Sequence, residues 1–184
     1  DVNRYVRKQF DATNGYPTGL PHAYYRGKLY LKTPEISEPL IGRKLYYFRS
    51  RPDALCGGGS CWSVIVSHGG NNEGKINITT QGSKLGLATV VYYNKGPVIA
   101  FDTWYTLEIE ILPNTPSVSD GQLTVWEDGV QIFQATGLNL RAGYTEGIHE
   151  VFVGQQSQRG NYAPLDEYRY WKDIVISATG PIGP

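Results

Sequence analysis

Leu123-Thr-Val-Trp-Glu-Asp-Gly-Val-Gln-Ile-Phe133 decides the fold class. Two segments of alternating side-chain character flank Asp128-Gly129. An Asp-Gly pair in that setting is the strongest short-range signal for a β-hairpin, because both turn residues must take positive φ and Gly does so without strain. Upstream, Trp104 to Ile111 has the same period of two: Tyr105, Leu107, Ile109 and Ile111 share one face, and Trp104, Thr106, Glu108 and Glu110 the other. The first set is predicted to be core. Downstream lies a further aromatic strand, Tyr168-Arg-Tyr-Trp-Lys-Asp-Ile-Val-Ile-Ser177.

Further strands are predicted at Tyr24 to Lys32, Lys44 to Arg49, Trp62 to His68, Lys75 to Gln81, Ala88 to Tyr93, Trp104 to Leu112, Leu123 to Trp126, Val130 to Gln134 and Glu150 to Val153. No segment carries a 3.6-residue apolar period. Short strands separated by Gly, Pro and Asn clusters predict an all-β chain, an antiparallel two-sheet β-sandwich rather than βαβ units. Residues 1–21 read as a polar, turn-rich N-terminal arm and 178–184 as a Gly/Pro tail on a single domain spanning 1–184. The tail Gly180-Pro-Ile-Gly-Pro184 also matches the start of a Gly-X-Y pattern, as a stalk would.

The run from Asp102-Thr-Trp-Tyr-Thr-Leu-Glu-Ile-Glu110 through Asn114-Thr-Pro116 and Asp120-Gly-Gln-Leu-Thr-Val-Trp-Glu-Asp-Gly129 to the Tyr168 strand resembles the concanavalin A-like jelly rolls of the polysaccharide-lyase type. That group includes alginate and glucuronan lyases. The resemblance covers the C-terminal half well and the N-terminal half loosely. It implies a jelly roll with a carbohydrate partner, but such sandwiches serve as enzymes, lectins and structural coats alike.

Composition bounds the partners. The chain has 184 residues, of which 40% are hydrophobic and 18% charged, with a formal net charge of +0, enough for one well-buried core. Balanced charge without blocks of like sign argues against nucleic acid as the main partner. No stretch reaches the roughly 20 apolar residues of a membrane helix, so no membrane insertion is expected. The absence of Met suggests a processed or excised chain. Cys56 and Cys61, in Cys-Gly-Gly-Gly-Ser-Cys, are expected to form a small-loop disulfide, which implies an extracellular or particle-surface location. Asn77-Ile-Thr79 fits the N-glycosylation pattern.

Metal and nucleotide chemistry finds no motif. There is no phosphate-binding Gly-x-x-x-x-Gly-Lys, and His22, His68 and His149 are not at ligand spacing. No cofactor is expected. Sandwiches of this general class often carry a structural calcium, for which no Asp-x-Asp cluster marks a place. Glu108 and Glu110 share a face, as a glycosidase carboxylate pair would, but same-face strand glutamates are more often solubilising.

Cleaving a uronate polymer by β-elimination needs a cation for the sugar carboxylate, a base for the C5 proton and an acid for the leaving oxygen. The resemblance implies a groove lined by a Gly-Lys-Leu strand, a Trp-Ser-x-Arg strand and a Tyr-x-Tyr strand. Gly42-Arg-Lys44-Leu45 and Trp62-Ser63-Val-Ile65 resemble the first two, with Ile65 at the Arg position and Lys75-Ile-Asn77-Ile-Thr79 where the tyrosines are expected. Candidate glycan-binding residues are therefore Lys44, Ser63, Lys75, Asn77, Thr79 and Gln81, the last four from the outward row of their strand. Lys44 and His68 are the catalytic candidates, with Tyr92 and Tyr170 as further bases and Arg49 or Gln81 beside the carboxylate. Three readings stay open. The preferred one is a non-catalytic carbohydrate-binding or adhesion domain. The others are a polysaccharide lyase and a structural component of an extracellular assembly, such as a virion decoration, fibre or surface layer, with homo-oligomeric or other assembly partners.

Overall fold

The period-two segments become two antiparallel sheets. In the computed structural model, residues 5–32, 43–50, 61–68, 74–154 and 169–182 are described. Their strands are β1 (Tyr5–Gln9), β2 (Ala23–Leu31), β3 (Arg43–Arg49), β4 (Ser63–His68), β5 (Ile76–Gly82), β6 (Leu87–Lys95), β7 (Trp104–Leu112), β8 (Gly121–Glu127), β9 (Val130–Leu138), β10 (Glu150–Gly154) and β11 (Arg169–Ser177). One sheet runs β1-β10-β3-β4-β5-β6 and the other β11-β2-β7-β8-β9. The all-β two-sheet sandwich expected from the sequence is the fold observed. β1 falls inside the stretch read as an arm, where it pairs with β10.

The hairpin turn is as the sequence requires, with Asp128 at φ 49° and Gly129 at φ 79°. Asp128 also anchors the turn to β7: its N–H donates to the Thr106 carbonyl at 2.8 Å, and its carboxylate accepts from the Thr106 N–H at 2.7 Å. Between the sheets, Tyr25, Leu29, Leu107, Ile109, Ile111, Leu123 and Val125 face Tyr46, Phe48, Val64, Val66, Ile76, Ile78, Val151 and Val153. Burying these faces supplies most of the driving force. Gly27 occupies a core position of β2 because a Cβ there would come within 2.3 Å of the Tyr25 hydroxyl oxygen. The Tyr25 ring is thereby free to stack at 4.6 Å on Tyr46.

Glu127 breaks the apolar pattern. It ends β8 on the core side, is 4% exposed, and its Oε2 makes no hydrogen bond among the described residues. The turn at Gly96 sits directly on it, since a Cβ there would lie 3.1 Å from Oε2. Loss of water, with the neighbouring Asp128 charge adding to it, raises the carboxyl to about 7 from an ordinary 4.5. Below the unfolded value the group is neutral in both states and costs nothing. As pH climbs from there to about 7 the unfolded chain ionises while the folded one holds its proton, so stability falls, and above about 7 the loss is constant. Glu127→Gln should remove this pH dependence. Urea unfolding should show a gain over wild type of about 2 kcal/mol near pH 8 relative to pH 4, after a discount for solvent screening.

Candidate glycan-binding face

The site is built on the face of the six-stranded sheet turned away from the other sheet. In β4, Val64, Val66 and His68 point to the core, leaving Ser63, Ile65 and Ser67 on the opposite side of the sheet, where Ser63 and Ile65 are nonetheless buried at 1% and 3% exposed. A bulge at Leu45, between Lys44 and Tyr46, resets the alternation of β3, so that Lys44, Tyr47 and Arg49 all point outward. Cross-strand register then sets rows across the sheet. Gln9, Glu150, Arg49, Ser63 and Gln81 form one; Arg7, Phe152, Tyr47, Ile65 and Thr79 the next; Lys44, Ser67 and Asn77 a third. At about 4.8 Å between strands, a row across five strands is about 19 Å long, enough for several sugar rings.

Arg49 is held in place from several sides. Its Nε donates to Glu150 Oε2 in close contact, and its guanidinium lies 4.5 Å from the Phe152 ring centroid and 5.8 Å from that of Tyr47. Glu150, 2% exposed, also accepts from Arg7 Nη1 at 3.3 Å and Gln9 Nε2 at 3.2 Å. Lys44 Nζ stands 5.5 Å from the Tyr47 centroid on its other side. Tyr47, Cys61, Trp62, Ser63, Gln81, Ser83 and Lys84 line a cleft of about 220 Å³. Trp62 forms its floor, 1% exposed, with its indole N–H donating to the Glu146 carbonyl at 3.3 Å. Ser63 Oγ donates to Gln81 Oε1 at 3.5 Å.

Lys44, Ser63, Asn77, Thr79 and Gln81 thus share one face, while Lys75 lies just before β5. His68 does not join them: it is 1% exposed on the core side, edge-on to Phe101 at 6.3 Å. Tyr92 packs between the sheets at 4.8 Å from Phe133, and Tyr170 belongs to the outer face of the other sheet. Asn77 is 6% exposed and its side-chain oxygen accepts from the Asn94 N–H at 3.1 Å, so the glycosylation pattern sits in a paired strand with no room for a glycan. Cys56 lies outside the described residues; Cys61 is buried beside Trp62. Sequence reasoning missed Tyr47, Phe152 and Lys84. The bulge at Leu45 hid the first, since strict alternation puts Tyr47 opposite Lys44. Among the described residues no three His, Cys, Asp or Glu side chains gather as a metal would need, and no helix is long and apolar enough to cross a membrane.

No family model and no curated protein matches the sequence. Solved structures do match. The chain is similar to an endo-β-1,4-glucuronan lyase from the fungus Trichoderma reesei, with a TM-score of 0.68 and 14% identity over 96% of this chain and 75% of that one. It is similar to alginate lyase vAL-1 from Chlorella virus, with a TM-score of 0.63 and 12% identity over 86% and 71%. The marine PL-14 alginate lyase from Aplysia kurodai follows at 0.62 and 19% identity, over 87% and 70%. The chain has the polysaccharide-lyase type of jelly-roll fold. At such identities the likeness is one of fold, so this jelly roll's chemistry rests on its own residues. Ile65, at the position where the sequence resemblance calls for an arginine, stands opposite Thr79, which belongs with Asn77 to the Lys75-Ile-Asn77-Ile-Thr79 stretch where it calls for two tyrosines. An aliphatic side chain there neither clamps a carboxylate nor moves a proton.

Proposed function

We propose that this jelly roll binds a uronate-containing polysaccharide along the outer face of its six-stranded sheet, without cleaving it. The observation that carries the reading is Ile65 at the centre of the face, opposite Tyr47 and Thr79, with Lys44 and Arg49 along the adjacent strand. The cations and the Gln81 and Lys84 side chains offer charge-assisted and neutral hydrogen bonds, and Tyr47 offers a ring for the apolar side of a sugar. Titration calorimetry with oligoglucuronate and oligoalginate tests it. Arg49→Ala and Lys84→Ala should each weaken binding about tenfold, the loss of one charge-assisted contact. A neutral oligosaccharide of equal length should bind weakly to all three proteins. Equal affinities for charged and neutral sugars would remove the basis of the proposal.

One observation favours a second reading. Tyr47 is a phenol on the groove face flanked by two cations, the minimum set for β-elimination. Ultraviolet absorbance during incubation with uronate polymers decides between them, because elimination makes an absorbing unsaturated product. No rise is expected; a rise abolished by Tyr47→Phe would establish the lyase. An extracellular site of action, with Cys56 and Cys61 joined, belongs to the same proposal. Peptide mass mapping without reductant should then find the one peptide that carries both cysteines lighter by two hydrogens than its reduced form.

A further inference from the structure

The outer face of the five-stranded sheet carries a second feature that the groove does not use. Tyr170, Tyr30 and Trp104 are register neighbours on β11, β2 and β7, so three aromatic side chains stand side by side across the sheet. The rings of Trp104 and Tyr170 lie 5.3 and 5.8 Å from that of Tyr30. Trp104 is 39% and Tyr170 48% exposed, an apolar cluster that stabilises nothing in the core.

The cluster is also built. The Tyr30 hydroxyl donates to Asp102 Oδ1 at 3.0 Å, and Asp102, at φ 59°, is itself held by its N–H to the Leu31 carbonyl at 2.7 Å. That bond holds the middle ring in place before any ligand arrives, so little conformational freedom remains to be lost on binding. Lys172 Nζ rests 4.2 Å from the Trp104 centroid, and among the described residues it is an aromatic ring rather than a carboxylate that it touches. In the same register row Lys28 is paired with Asp173 at 3.1 Å. The charges beside the rings are therefore the Lys172 ammonium over Trp104 and the Asp102 carboxylate at the Tyr30 hydroxyl.

We propose that Tyr30, Trp104, Tyr170 and Lys172 form a second glycan-binding surface, in which the mutually inclined rings, 48° and 66° from the plane of Tyr30, pack against sugar C–H groups and Lys172 pairs with a sugar carboxylate. Aromatic faces next to a movable ammonium suit a ligand that is apolar on its ring faces and anionic at its rim, and an acidic polysaccharide is such a ligand. The two sheets then present sites on opposite sides of one domain, so a single chain would bridge two polymer strands.

The surface is independent of the groove, and the experiment keeps the two apart. Calorimetry with an oligoglucuronate hexamer should give two sites per chain for the wild type. One site should remain in Lys44→Ala/Arg49→Ala and one in Trp104→Ala/Tyr170→Ala, and none in the fourfold variant. Trp104 fluorescence should respond to the hexamer in the groove variant. Lys172→Ala should weaken this site about tenfold while leaving the groove unchanged. A single site per chain, lost in the groove variant alone, would overturn the second surface and leave the groove reading standing. Loss of self-association in Trp104→Ala/Tyr170→Ala, read by sedimentation with no sugar present, would assign the aromatic row to a second copy of the chain and overturn it too.

Discussion

Gly147→Ala is expected to destabilise the fold by about 4 kcal/mol, a large value for a single methyl group. The reason is local and rigid. A Cβ at this position would stand 2.1 Å from the Leu20 carbonyl oxygen and 2.7 Å from its carbon, both of them backbone atoms that cannot swing aside. The contact is close because the two segments are tied there. Gly147 N–H donates to the Thr18 carbonyl at 2.7 Å, Leu20 and Ile148 exchange bonds at 2.8 and 2.9 Å, and Phe10 N–H donates to the His149 carbonyl at 2.7 Å. Relieving the clash pulls the 10–20 segment off the start of β10, exposing Leu20 and Ile148, which are 1% and 0% exposed. Gly129→Ala is the control: it is strained by positive φ but meets nothing within 4 Å. It should cost about 1–2 kcal/mol. Equal denaturant midpoints for the two variants would contradict the account of Gly147.

Glu150→Ala should cost about 3 kcal/mol and also weaken glycan binding. Glu150 is a buried carboxylate serving Arg7, Gln9 and Arg49 at once. Removing it leaves two guanidinium groups facing each other without their counter-charge, and that uncompensated charge is what makes such deletions costly. Arg7 and Arg49 are 38% and 18% exposed and partly escape to solvent, which keeps the loss at the lower end of the range for buried pairs. The escape has a functional consequence. Arg49 would leave its place between Phe152 and Tyr47, so oligoglucuronate affinity should fall even where the protein remains folded. Thermal unfolding and calorimetry on the same preparation read both effects. A stability loss with affinity intact would show that Glu150 does not position Arg49.

The sheet pattern was largely legible because period-two alternation and turn chemistry are local. Trp104–Leu112 was predicted to its ends, and the core face Tyr105, Leu107, Ile109 and Ile111 is the one observed. β1 was not legible. Its five residues, Tyr-Val-Arg-Lys-Gln, carry one aliphatic side chain, Val6, which is 68% exposed, and it becomes a strand through pairing with β10, some 140 positions away in sequence. The candidate site was half legible. Ser63, Asn77, Thr79 and Gln81 follow from strict alternation, whereas Tyr47 depended on a bulge that no residue type announces. His68 shows the opposite limit, since a polar residue ending a Val-Ile-Val strand reads as outward by chemistry and stands inward by register. Glu127 likewise sits where alternation places it, on the core side, though its charge argues for the surface.

The most direct test of the groove is amide chemical-shift mapping during titration with oligoglucuronate. Shifts are expected at Lys44, Tyr47, Arg49, Ser63, Gln81 and Lys84, saturating together and absent in Lys44→Ala/Arg49→Ala. If the six-stranded sheet shows no shifts while the sugar binds elsewhere on the chain, this face is not the glycan site.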